Sequence, residues 1–229
     1  MVKWSKESIL SEGGKVFSAI AEWLDQRPEL CLSQLDPKRT ALIIVDMING
    51  FAREGALQSP RVEKIIAPIV CLTRACQKAG IPVLAFADSH GEMSPEFRAY
   101  PPHCLAGTNE AELVDELKAL GGYRLFLKNS VNGFLETEFQ QWLKEHQAID
   151  QYLVVGDCTD ICIQQLAVTL KAWFNMNNRE SRVIVPVNAV DTFDGGLHHG
   201  DLMHVMALFM MSGNGVEIVG RIVEPEGEG

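Results

Sequence analysis

Residues 40–46 read Thr-Ala-Leu-Ile-Ile-Val-Asp, an unbroken apolar and β-branched run that ends on a carboxylate. A strand with one face in water alternates apolar and polar residues, whereas one apolar at consecutive positions is buried on both faces. Similar runs recur at Ile81–Ala87 (IPVLAFA), Tyr123–Leu127 (YRLFL), Tyr152–Val155 (YLVV), Arg182–Val187 (RVIVPV) and Val216–Val219 (VEIV). Between them lie helical patterns. From Val62 to Lys78, Val62, Ile65, Ile66, Ile69, Leu72 and Cys76 recur at three- and four-residue spacing, and Gly80 and Pro82 close the helix. Further helices are predicted near 110–120, 136–146, 160–174 and 201–212. Strand and helix in alternation predict an α/β fold, with a mostly parallel sheet covered on both faces.

The 229 residues are enough for one large α/β domain, and 47% hydrophobic with 22% charged residues is ordinary globular usage. A net charge of −10 argues against a nucleic-acid partner, which would call for a basic face. No run approaches the ~20 apolar residues of a membrane span. Met1–Leu10 lacks the apolar centre of a secretory signal, and the six cysteines show no compact disulfide-like spacing. A cytoplasmic protein with reduced thiols is expected. Three segments are expected: an N-terminal helical extension at 1–38, the main domain at 39–223 and a disordered tail at 224–229. In the extension Ile9, Val16, Phe17, Ile20, Trp23 and Leu24 form an apolar stripe, predicted to pack on its own domain or on a second subunit. A homo-oligomer is expected.

In an open α/β sheet, ligands bind beyond the carboxyl ends of the strands. Those ends here carry Asp46, Asp88, Lys128 and the run Gly156-Asp157-Cys158. Thr159 or Asp160 is a suitable N-cap, which would place Cys162 in a first helical turn, where the helix dipole and a nearby Lys128 favour thiolate. A carboxylate beside the thiol disfavours the thiolate, but can take its proton and later return it to a leaving amine. Asp46, Lys128 and Cys162 are thus a coherent set for amide hydrolysis. A second group follows the next strand, where Asp88, His90, Glu96 and His103 fall within one short segment. Asp and His two residues apart on an extended chain can face the same way, and Pro101-Pro102 stiffens the approach to His103. Two imidazoles with carboxylates suit Zn²⁺, Mn²⁺ or Fe²⁺. His198, His199 and His204 are read as surface or interface residues, and the methionines at 203, 206, 210 and 211 as packing.

From Ala41 to Val223 the chain resembles the nicotinamidases, within the isochorismatase-like cysteine hydrolases. The resemblance is carried by ALIIVDMINGF, VLAFADSH, YPPHCLAGTNEAELV, LKNSVNGF and VVGDCTDICI, with weaker support from TFD at 192–194 and the LMHVMALFM helix. It implies a three-layer αβα fold around a six-stranded sheet, and a place in NAD salvage converting nicotinamide to nicotinate and ammonia through a thioester. It implies that Asp46 is general base and acid, Lys128 its cationic partner and Cys162 the nucleophile. One divalent metal per chain, zinc foremost, would sit on Asp88, His90, His103 and Glu96, where some relatives have His in place of Glu96, and take the pyridine nitrogen. Phe51 and Tyr100 would flank the substrate. A cis peptide at Asp157–Cys158 would let the backbone N–H groups of Cys158 and Cys162 form the oxyanion hole; Cys158 replaces a residue that is commonly Ala. Sibling hydrolases of carbamoyl or ureido compounds share the Asp–Lys–Cys set but usually lack the metal loop. A non-catalytic ligand-binding relative is a further alternative.

Overall fold

The computed structural model describes residues 5–224; beyond Glu224 the expected tail lies outside the described residues. The chain opens with α1 (Lys6–Asp25), whose first turn is capped by the Ser5 hydroxyl accepting from the Ser8 N–H. Only Ile20 and Leu24 of its apolar stripe are buried, while Ile9 and Val16 are more than half exposed. Trp23 meets the Phe209 ring edge-on at 5.8 Å, so the second half of α1 docks on its own chain.

The elements that follow are β1 (Leu30–Cys31), β2 (Thr40–Val45), α2 (Asn49–Ala52), α3 (Pro60–Lys64), α4 (Ile66–Lys78), β3 (Val83–Asp88), α5 (Asp115–Leu120) and β4 (Tyr123–Lys128). After them come α6 (Thr137–Glu145), β5 (Gln151–Gly156), α7 (Gln164–Met176), β6 (Arg182–Pro186), α8 (Gly200–Gly213), β7 (Glu217–Val219) and β8 (Ile222–Val223). The six predicted strands form one parallel sheet in the order β4-β3-β2-β5-β6-β7. The short β1 and β8 pair with each other in a separate ribbon that periodicity did not suggest. The predicted helix at 62–78 is two helices, α3 and α4, meeting at Ile65. The one predicted at 110–120 is a single 3₁₀ turn followed by α5.

No residue of β2 is more than 1% exposed, as its unbroken apolar run requires. Its side chains feed two cores. Leu42 and Ile44 pack with α2, α3, α4 and α5 on one face, and Ala41, Ile43 and Val45 pack with α6, α7 and α8 on the other. The fold is therefore three-layered, helices on sheet on helices. Burying each such aliphatic side chain contributes about 1.5–3 kcal/mol, so the centre of the sheet is the most firmly held part of the fold.

From β2 the chain winds outward through β3 and β4; from β5 it winds the other way through β6 and β7. The crevice between β2 and β5 is thus the topological switch point, where open α/β sheets bind ligands. Gly156 closes the bottom of this crevice: its φ is +119°, and a Cβ there would lie 1.9 Å from the Val45 carbonyl oxygen. Only glycine permits that approach.

Candidate active site

Asp46 leaves β2 with φ +54°, a left-handed conformation that Asp tolerates better than most residues. The turn leaves its carboxylate fully buried at the switch point, where Oδ1 accepts from the Asp88 N–H at 3.0 Å. Lys128 at the end of β4 is the register partner of Asp88 at the end of β3. Its Nζ donates to Asp88 Oδ1 at 2.6 Å and lies 2.7 Å from Asp46 Oδ2, the latter an ion pair without hydrogen-bond direction. The same ammonium reaches Cys162 Sγ at 3.6 Å. The structure therefore brings the three predicted residues, Asp46, Lys128 and Cys162, together from three separate segments.

Electrostatics here departs from expectation. The helix terminus and Lys128 were expected to favour the Cys162 thiolate. Burial instead pushes the thiol well above its ordinary range; Lys128 pulls it down, while Asp46 and Asp88 push it further up. For Asp46, burial raises the carboxyl to about 7, against the pull of Lys128 and with the push of Asp88. Burial alone would discharge Lys128, but its two carboxylate partners keep it an ammonium. Burial and the two carboxylates thus favour the neutral thiol, and burial also raises the Asp46 carboxyl beside it.

The turn carrying Cys162 also differs from prediction. Residues Thr159–Ile163 form a wide turn with an i→i+5 bond from the Ile163 N–H to the Cys158 carbonyl, before α7 begins. Neither Thr159 nor Asp160 is its N-cap; Cys158 holds that place, with no side-chain cap bond. The Thr159 hydroxyl pairs with His204 Nδ1 at 2.9 Å and Asp160 with His198 Nε2 at 2.7 Å. Both side chains are recruited by the segment and helix that follow β6, which outcompete local capping. Correspondingly, His198 and His204 turn inward instead of lying on the surface, while His199 is exposed. The Asp157–Cys158 peptide is cis, and all six cysteines are free thiols.

Asp88, His90, Glu96 and His103 also converge, with one ligand atom from each within 4.8 Å of the others. The imidazoles are prepared as ligands. His103 Nδ1 donates to the Pro101 carbonyl at 2.8 Å, and His90 Nδ1 lies 2.9 Å from Asn129 Oδ1. Each arrangement leaves the Nε2 lone pair free, the usual preparation of a metal-binding histidine. His90 Nε2 is buried with no hydrogen-bond partner, 3.5 Å from Asp88 Oδ1 and 3.9 Å from Glu96 Oε1. An orphaned imidazole nitrogen among two carboxylates and a second imidazole fits a divalent cation. Phe97, which the sequence did not single out, meets both imidazoles edge-on at 5.5 and 5.6 Å.

The two groups open onto one cleft of about 420 Å³. Phe51, Leu57, Tyr100, Val131, Ile161 and Phe193 form its apolar walls, and Asp88, Glu96, His103, Cys158 and Cys162 its reactive side. Phe51 and Tyr100 are the expected substrate-flanking residues; Val131, Ile161 and Phe193 lie within the quoted motifs but carry no signal of their own, and Leu57 lies in none of them. Among the described residues no lysine or arginine lines the cleft.

A family model described as the isochorismatase domain matches residues 40–219. The chain belongs to the isochorismatase family. Within it, the chain is 34% identical to nicotinamidase 1 of Arabidopsis thaliana, over 87% of this chain and 92% of that protein. It is 30% identical to a ureidoacrylate amidohydrolase of Pseudomonas savastanoi, over 68% of this chain and 72% of the relative. Among solved structures, the nicotinamidase/pyrazinamidase of Bacillus subtilis superposes with a TM-score of 0.68 at 30% identity, covering 79% of this chain and 99% of that one. The pyrazinamidase of Pyrococcus horikoshii, solved in complex with zinc, gives 0.66 at 25% identity, covering 79% and 98%. This isochorismatase-family chain is accordingly an amidohydrolase. Among its described residues no helix is long and apolar enough to cross a membrane.

Proposed function

We propose that the chain hydrolyses nicotinamide to nicotinate and ammonia through a thioester on Cys162. One observation carries the reading: Cys162 and the Asp88–Glu96–His103 edge line the same cleft, whose walls include three aromatic rings and no lysine or arginine. A flat, uncharged ring amide suits those walls. Ureidoacrylate and N-carbamoylsarcosine offer no ring to those walls, and no lysine or arginine lines the cleft to fix their carboxylate.

Phe51 and Tyr100 hold the ring and set its carboxamide against Cys162. Asp46 takes the thiol proton as sulfur attacks the carbonyl carbon, and Lys128 keeps the neighbouring carboxylates compensated while it does so. The backbone N–H groups of Cys158 and Cys162 stabilise the oxyanion. As the C–N bond breaks, Asp46 returns the proton to the departing nitrogen and ammonia leaves. Asp46 then takes a proton from water, which attacks the thioester; the C–S bond breaks, the thiol recovers its proton and nicotinate is released. A divalent cation on Asp88, His90, Glu96 and His103 would supply a Lewis-acidic anchor for the ring nitrogen and order the nearby water.

Ammonia release decides the matter. The protein is stripped with chelator, reloaded separately with Zn²⁺, Mn²⁺ or Fe²⁺, and assayed on nicotinamide and ureidoacrylate. Turnover of nicotinamide restored by metal supports the reading. Turnover of ureidoacrylate alone would transfer the same Asp46–Lys128–Cys162 chemistry to a ureido substrate.

A further inference from the structure

One wall of the cleft has an unusual support. The face of Phe193 is stacked on His198, with ring centroids 3.9 Å apart and planes 5° from parallel. His198 Nδ1 donates to the Phe193 carbonyl at 2.9 Å, and its Nε2 lies 2.7 Å from Asp160 Oδ2. Asp160 stands two residues before Cys162 in the same wide turn. The loop from Phe193 to His198 is otherwise self-contained: Gly195 and His198 exchange both backbone hydrogen bonds, at 3.0 and 2.8 Å. Its tip is bare, with Asp194, Gly195 and Gly196 exposed and Leu197 99% exposed. The residues on either side of Phe193 are tied separately: the Thr192 carbonyl accepts from Arg61 Nε at 3.1 Å, and Asp194 accepts from the Gly200 N–H at 2.6 Å and pairs loosely with Arg61 at 3.7 Å, while the Phe193 ring itself has His198 behind it.

We infer that His198 is a positioning residue for substrate recognition, a role that rests on the proposed nicotinamide reading. By stacking on Phe193 while tied to Asp160, it fixes the Phe193 ring as a third aromatic wall at a set distance from the nucleophile turn. Phe51 and Tyr100 belong to other segments, so an aromatic slot of constant width requires Phe193 to be held from behind. The ligand class favoured is a planar heteroaromatic carboxamide, which gains from a rigid parallel wall; a flexible aliphatic amide gains little. His198 touches no reacting atom, so its loss should weaken binding more than the bond-breaking steps.

The test uses the metal-loaded full chain and four variants: His198→Ala, Phe193→Ala, Asp160→Ala and, as control at the bare tip, Leu197→Ser. His198→Ala and Phe193→Ala should each raise KM for nicotinamide about tenfold, the equivalent of roughly 1.4 kcal/mol of lost ring contact, with kcat changed less than about threefold. Because His198 acts through Phe193, the double variant should be no worse than Phe193→Ala alone. Leu197→Ser should match the wild type. If His198→Ala does not fold, Asp160→Ala removes the partner of Nε2 from the other side and should raise KM likewise. Additive losses, or a fall in kcat at unchanged KM, would overturn the inference. Alkylation of Cys162 by iodoacetamide, followed by mass spectrometry, is independent of substrate: His198→Ala and Phe193→Ala should accelerate it to the same extent. If the wild type releases no ammonia from nicotinamide, the functional reading fails, yet equal acceleration still upholds the wall. Unchanged alkylation in both variants refutes the wall whichever substrate is cleaved.

Discussion

Replacing Lys128 with Met tests the electrostatic heart of this site. The methionine side chain keeps most of the aliphatic volume of the lysine stem and removes only the ammonium. That ammonium lies 2.7 Å from Asp46 and 2.6 Å from Asp88, and the side chains of all three residues are no more than 2% exposed. Without it, two buried carboxylates already joined by the Asp88 N–H to Asp46 Oδ1 contact face each other uncompensated. Breaking a buried ion pair by removing one partner typically costs about 3–5 kcal/mol. Against a total stability of roughly 5–15 kcal/mol, that is enough to shift a urea transition far to the left. The measurement belongs in metal-free protein, since a cation on Asp88 would replace part of the missing charge.

The sign of the pH dependence follows from the same pair. In Lys128→Met, Asp46, already raised to about 7, rises further and Asp88 loses the partner that holds it low, so relative to wild type the native state binds more protons. Stability then falls as pH rises, and the deficit relative to wild type should be largest near pH ~8 and shrink toward pH ~4. Lys128→Met/Asp46→Asn, which leaves one carboxylate, should recover at least ~1 kcal/mol of the loss. A deficit below ~1 kcal/mol, or one independent of pH, would refute the argument that Lys128 is there to compensate two buried charges.

Three further outcomes follow from particular side chains. Cys162→Ala should abolish ammonia release yet retain bound metal, whereas His90→Ala should lose the metal; activity assays paired with metal analysis separate the two. Gly156→Ala should fail to fold or lose more than ~4 kcal/mol, because its Cβ would strike the Val45 carbonyl at 1.9 Å; Gly80→Ala, with nothing within 4 Å of its Cβ but φ +76°, should cost only ~1 kcal/mol, both read by urea denaturation. Asp157 is fully buried with Oδ1 unpartnered, and burial pushes its carboxyl well up, against the weaker help of Cys158 and Lys128. A raised acid costs stability above its unfolded pKa, so Asp157→Asn should match wild type near pH ~4 and exceed it by about 1 kcal/mol or more near pH ~8; a gain that does not change with pH would discount the carboxylate as its source.

The sheet was legible because both-face burial leaves a direct trace: TALIIV has no polar beat, and the structure buries every one of its residues. The residues at the strand ends were legible for a related reason, since a charge that terminates an apolar run has few places to go but the rim of the sheet. Their grouping was not legible. Lys128 reaches Asp46 only because β4 and β2 both flank β3, and nothing in the spacing of the three segments encodes that order. The sequence pattern placed the nucleophile in a capped helical turn, and local propensity supported it. Thr159 and Asp160 are good caps in isolation, but His204 and His198, some forty residues on, claim their side chains. The same tertiary contacts draw two histidines of surface appearance inward. Short-range signals thus singled out residues that the fold gathers at the cleft, while the shape of the cleft depends on polar pairs distant in sequence. Those pairs, His198–Asp160 foremost, are where substitutions should alter what the cleft accepts without disturbing how it reacts.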